Sequence, residues 1–196
     1  MITGISPGSL IKRSVPNSTL LSKKFVKFVP SNVITTLTNY NTNTLQKFDS
    51  IYRHSKLTGL VDNTDTSILS NITTIKIRKN FTPTISSSTR YDIYFRNALF
   101  NPHSGHNSTA GGILTSTGFK VTGSDIEQFL DDDGQGNVRR YYLASGIRTY
   151  SNETQGTIDY SNGQITINSL NVSSISNIRG SSSTNIELTV IPDSND

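Results

Sequence analysis

The chain contains no cysteine. Disulfides and thiolate metal sites are therefore excluded, and so is a small secreted scaffold held by crosslinks. Charged residues are scarce at 16% and hydrophobic residues at 33%, both low for a globular chain. No apolar run approaches the roughly 18 residues a membrane helix needs. The first thirty residues hold no compact apolar stretch of the signal-peptide kind. These features predict folding in a reducing compartment, with neither a membrane partner nor export.

What fills the chain instead is small and polar: 28 Ser, 25 Thr and 19 Asn among 196 residues, more than all hydrophobic residues together. Such side chains compete with helical backbone bonds, which argues against long charged helices. Eight Tyr and eight Phe, with many Ile, supply bulky core material. Thr and Ile suit strands, and Ser and Asn suit turns. The net charge of +4 is unevenly placed. Residues 1–48 carry six cations (Lys12, Arg13, Lys23, Lys24, Lys27, Lys47) and no acid, whereas residues 49–196 carry 12 cations and 14 acids. A nucleic-acid binder needs a basic face on its folded part. Here the larger part is slightly acidic, so no nucleic-acid partner is expected.

The pattern along the chain predicts an α+β protein: a small N-terminal α/β unit followed by a β-rich sandwich or barrel-like domain. Residues 1–30, punctuated by Gly4, Pro7, Gly8, Pro16 and Pro30, read as a disordered basic lead-in. Residues 31–83 read as the α/β unit. Its helix over 31–52 would start at Ser31, an N-cap after Pro30, and would present Val33, Leu37, Tyr40, Phe48 and Ile51 on one face, with Leu45 at its edge. Leu37, Leu45 and Phe48 would pack on a strand holding Ile75 and Ile77, which Pro83 stops or puts on an edge. A short helical piece over 56–61 and a turn at Asp62-Asn63-Thr64-Asp65 lie between. Residues 84–196 read as the β-rich domain. Tyr91, Ile93 and Phe95 alternate with polar neighbours, as do Ile186, Leu188 and Val190. Phe129 and Val138 flank one hairpin, and Ile158 and Ile165 flank another around Asn162-Gly163.

The sharpest cluster of potential chemistry is Asp131-Asp132-Asp133-Gly134-Gln135-Gly136-Asn137. Hard cations need several oxygens on one tight loop, and Asp131, Asp133 and Asn137 are the available ligands. A helical calcium loop would need Glu at its twelfth position, which is Tyr142 here, so a hairpin turn is the better reading. His103 and His106 share a loop, but zinc needs three or four ligands and no Cys completes the set. His54 falls near a helix end. The three glutamates, Glu127, Glu153 and Glu187, form no paired-carboxylate motif. No G-x-S-x-G and no phosphate-binding glycine loop occurs. No catalytic residue, cofactor-binding residue, metal ligand, cofactor or small-molecule substrate is assigned.

Residues 31–82 read as a string are similar to a known family. The helix ends in Leu45 and Phe48. Ser55-Lys56-Leu57 follows, then Asp62 to Ile72 (DNTDTSILSNI), then a strand and Phe81-Thr82-Pro83. Downstream, Asn97-Ala98-Leu99 with NPHSGHNS, the STGF of 116–119, DDDGQGN, YYL and GTIDYSNGQITI continue in the same style. The order resembles the C-terminal part of a baseplate wedge protein of contractile-tailed bacteriophages, cyanophage-like in branch, over roughly residues 31–196. The resemblance implies a structural, non-enzymatic virion protein, assembled in the host cytoplasm and located in the tail baseplate. Its implied partners are other wedge subunits, with a homodimer in the full-length protein. The shortness of the chain and its unmatched first thirty residues imply a fragment of a longer product, with a shifted reading frame or a chance start ahead of Ser31. A receptor- or glycan-binding module of a tail fibre would share this composition, distinguished by an exposed cluster of aromatics and acids. A depolymerase would need paired carboxylates in one cleft.

Overall fold

The structure, a computed structural model, describes residues 22–104 and 112–194, with the backbone alone for 22–29. Two compact units divide at Thr74 and Ile75.

The first unit is helical in its described residues. Helix α1 spans Ser22–Tyr40 and runs through Pro30. The expected start at Ser31 is therefore too late: one proline removes one backbone donor, and here it does not end the helix. Along α1 and the turn that follows it, the Thr35, Thr38 and Thr42 hydroxyls donate to the carbonyls of Ser31, Ile34 and Thr38 at 2.9, 2.8 and 3.0 Å. Such back-bonding lets threonines sit in a helix that their propensity disfavours. A π-helical turn, Asn41–Leu45, follows directly, closed by the Gln46 amide on the Asn41 carbonyl at 2.9 Å. Helix α2, His54–Asp62, buries Leu57 and Val61. Thr64 links it to α1 through the Thr36 hydroxyl at 3.2 Å.

The expected single helix over 31–52 is thus interrupted. The wider turn shifts the phase of the apolar face, and the helical run ends before Phe48. Tyr40 is buried as expected, but Phe48 is 103% exposed and Ile51 71% exposed. The N-terminal α/β unit also gains no support. The strand expected to complete it, β1 at Ile77–Phe81, pairs antiparallel with β10, Ile186–Val190, from the far end of the chain. Pairing Ile77 with Val190 and Phe81 with Ile186 makes β1 part of the second unit.

That second unit is β-rich. Its five-stranded sheet has the order β2, β8, β7, β6, β5, for Thr89–Tyr94, Gln164–Leu170, Ile147–Asp159, Asn137–Ala144 and Phe129–Asp132. A three-stranded sheet places β10 between β1 and β3, Thr115–Ser116. A further pair joins β4, Phe119–Val121, to β9, Val172–Ile175. The alternation in β10 buries Ile186, Leu188 and Val190 completely. They share one core with Phe119, Leu130, Val138, Ile165 and Ile167.

Both expected hairpins form. Asp132 pairs with Val138, and Ile158 pairs with Ile165. The second return differs from a tight Asn-Gly turn. Four residues, 160–163, separate the strands, and only Gly163 among them takes a positive φ, at 62°. A side chain there would meet the Asn97 carbonyl at 2.0 Å, so the position needs glycine on two counts.

Candidate functional site

The acidic run at the β5–β6 hairpin is where the sequence concentrates its charge, and successive strand residues face opposite ways. Asp131 is fully buried on one side of β5. Its carboxylate accepts from Arg139 Nε at 3.0 Å, Arg148 at 2.9 Å and the Tyr150 hydroxyl at 3.0 Å. The guanidiniums also lie over aromatic rings, Arg139 on Tyr150 at 4.2 Å and Arg148 on Tyr141 at 4.8 Å. Phe129 stacks on Tyr141 in turn, at 5.6 Å between centroids. Burial pushes the Asp131 carboxyl up from its ordinary range, against the opposing pull of Arg139, Tyr150 and Arg148.

Asp132 turns the other way. One oxygen accepts the backbone N–H groups of Ile113 and Leu114, both at 2.7 Å, and the other accepts the Tyr160 hydroxyl at 2.6 Å. Burial, then the bond to Asp132, drives the Tyr160 phenol upward. Asp133 closes the turn itself, accepting from the amides of Gln135 and Asn137 and from the Asn137 side chain at 2.6 Å. Burial raises its carboxyl, but the Asn137 and Gln135 bonds outweigh that and hold it below its usual range.

The three potential ligands Asp131, Asp133 and Asn137, which the sequence reads as a hairpin turn in preference to a metal loop, do not share one set of partners. Asn137 serves Asp133, and Asp131 faces the arginines. Among the described residues, no group of three His, Asp or Glu side chains is placed to hold a metal. His103 is exposed on its loop, while His106 lies outside the described residues. His54 opens α2. Glu187 pairs with Arg78 at 2.5 Å and Arg179 at 3.3 Å; Glu127 bonds Ser176; Glu153 is exposed. The glutamates therefore stand in separate surroundings.

A cavity of about 470 Å³ lies beside the two hairpin returns, lined by Asn101, Ser104, Gln135, Asp159, Tyr160 and Ser161. Its one carboxylate is engaged: Asp159 accepts from Ser161 and Asn162 side chains, both at 2.6 Å, which hold it at about 2. The rest of the lining mixes polar side chains with Tyr160, Ile158 and the two turn glycines Gly134 and Gly136.

The partners of Asp131 and Asp132 escape sequence reading. Arg139, Arg148, Tyr150 and Tyr160 lie 8 to 28 residues downstream of the acids they meet. For Arg139, Arg148 and Tyr150 the one visible signal is alternation on β6 and β7, which puts them on a face without naming the acid opposite; Tyr160, in the turn after β7, has not even that.

The other notable surface belongs to the helical unit, where Ile34, Phe48, Ile51, Leu69 and Ile72 are all exposed. Residues 14–80 match the family model described as baseplate structural protein gp6, C-terminal domain III. The matched stretch is about a third of the chain and takes in both helices. It supports the recognition of a phage baseplate structural protein that the resemblance implies. The match begins ahead of Ser31, so residues 14–30, unmatched by the resemblance, lie inside the family pattern. No curated protein matches the chain.

Proposed function

We propose that the chain is the C-terminal part of a baseplate wedge subunit and acts by subunit contact in a phage tail baseplate, without catalysis. The family match over residues 14–80 carries this reading. The exposed apolar side chains in the same stretch support it, since a subunit works by burying surface on its neighbours. The partners are other baseplate subunits, with a homodimer in the full-length protein and no role for nucleic acid or membrane. Among the described residues, no helix is long and apolar enough to cross a membrane. Assembly takes place in the host cytoplasm and the product resides in the virion tail.

When a baseplate reorganises, its contacts must either hold or exchange, which suits interfaces of modest size with two arrangements of similar energy. The test is co-expression of the chain with the other baseplate proteins of a contractile-tailed phage, followed by affinity purification. Recovery of a stoichiometric baseplate partner is expected. Failure to recover any, together with binding to a cell-surface glycan, would replace this reading with that of a tail-fibre receptor-binding module.

A further inference from the structure

We propose that residues 46–51 form a docking knob whose Phe48 ring enters an apolar pocket, rimmed by acidic side chains, on a different baseplate subunit. This rests on the baseplate reading above and names the contact through which it would act.

Phe48 is 103% exposed and Ile51, three residues on, is 71% exposed. An aromatic ring left wholly in water is the kind of residue that dominates interfaces once a partner covers it. The loop that carries it is not slack. The Gln46 amide donates to Asn41 at 2.9 Å, the Lys47 amide to Thr44 at 3.2 Å, and the Ser50 hydroxyl to Leu45 at 2.7 Å. Asp49 sits at φ 59°, a conformation few residues other than glycine adopt, directly after the phenylalanine. The preceding π-helical turn is an uncommon form often found at functional sites. A backbone held in its presenting geometry loses less freedom on binding than a mobile segment.

Charge selects the occupant. Over residues 46–56, which hold the knob and the chain just after it, Lys47, Arg53 and Lys56 are exposed, against the single exposed acid Asp49. Over residues 22–74 six cations face three acids, Asp49, Asp62 and Asp65. Residues 75–194 are balanced, with ten of each sign. A second copy would bring Lys47, Arg53 and Lys56 toward their own counterparts or toward a neutral unit. An acidic rim satisfies both the cations and the ring, and would steer the approach.

The test uses the whole chain, co-expressed with the other baseplate structural proteins of a contractile-tailed phage, with affinity then measured for the one that co-purifies. Phe48→Ala is expected to weaken that affinity about tenfold or more, with an unchanged melting temperature. Lys47→Glu should weaken it and flatten its salt dependence, while Lys47→Arg retains it. Recovery of no baseplate protein by the wild-type chain would overturn the baseplate reading and the knob with it. Recovery of a partner that the Phe48→Ala chain binds within twofold would overturn the knob alone. Loss of self-association in Phe48→Ala, with heterologous binding intact, would assign the knob to a second copy and overturn the acidic-pocket partner.

Discussion

Asp131, Asp132 and Asp133 are neighbours in sequence but are held by different parts of the chain. The turn itself was legible: Asp133, Gly134, Gly136 and Asn137 are turn chemistry at turn spacing. The work of the other two acids was not, because a strand's alternation sends them to opposite faces and their partners come from other strands. Asp132 is the more consequential. It is fully buried and satisfies two backbone amides and a phenol. Asp132→Ala would leave all three donors without a partner, and we expect a loss of about 3–5 kcal/mol in urea unfolding. Gly112, at φ 63°, lies against the same carboxylate, so closely that a Cβ would sit 1.8 Å from the Asp132 oxygen. Gly112→Ala should therefore destabilise by about 2 kcal/mol or more through strain and displacement of that bond. Asp159 gives the acid dependence. Ser161 and Asn162 hold it at about 2, below the ordinary value, so its contribution is full above the unfolded-state pKa and is lost as pH falls through about 2. Melting temperatures followed from pH 5 to pH 2 should drop less steeply for Asp159→Asn than for the wild type.

The elements were legible where periodicity is local and misread where it depends on a change of helical form. The strands around Ile93 and Leu188 follow their alternation, and α2 buries Leu57 and Val61. Phe48 and Ile51 fall on the right face of an ideal helix, so periodicity predicts one continuous helix over 31–52. One π turn spoils that count, and nothing in Asn41-Thr42-Asn43-Thr44-Leu45 announces it beyond poor helix propensity. The distinction can be measured. A buried Phe48 would make Phe48→Ala cost about 3–5 kcal/mol. An exposed one should cost no more than about 0.5 kcal/mol, the usual effect of a surface substitution. The matched control is Leu57→Ala on α2, where a side chain only 4% exposed should cost about 2–4 kcal/mol.

For the whole molecule, the division of the chain turns on β1. Its own sequence, Ile77 to Phe81, says strand without saying whose. Proximity to the helices suggests a local α/β unit, yet the partner is β10, more than a hundred residues away. Long-range pairing of this kind leaves no local signature, because either assignment gives the same alternation. The two boundaries have different consequences. If the second unit begins at Ile75, a chain of residues 75–196 keeps the three-stranded sheet with β10 between β1 and β3. If it began at residue 84, β1 would be dispensable. Removing β1 strips the backbone partners from one side of β10, whose Ile186, Leu188 and Val190 are fully buried in the core. It also leaves Glu187 without Arg78. A core strand with an open edge invites aggregation as well as loss of stability. We therefore expect residues 75–196 to give a soluble chain with a cooperative urea transition, and residues 84–196 to aggregate or to unfold without one. Equal cooperativity in the two chains would move the boundary back to residue 84 and return β1 to the helical unit.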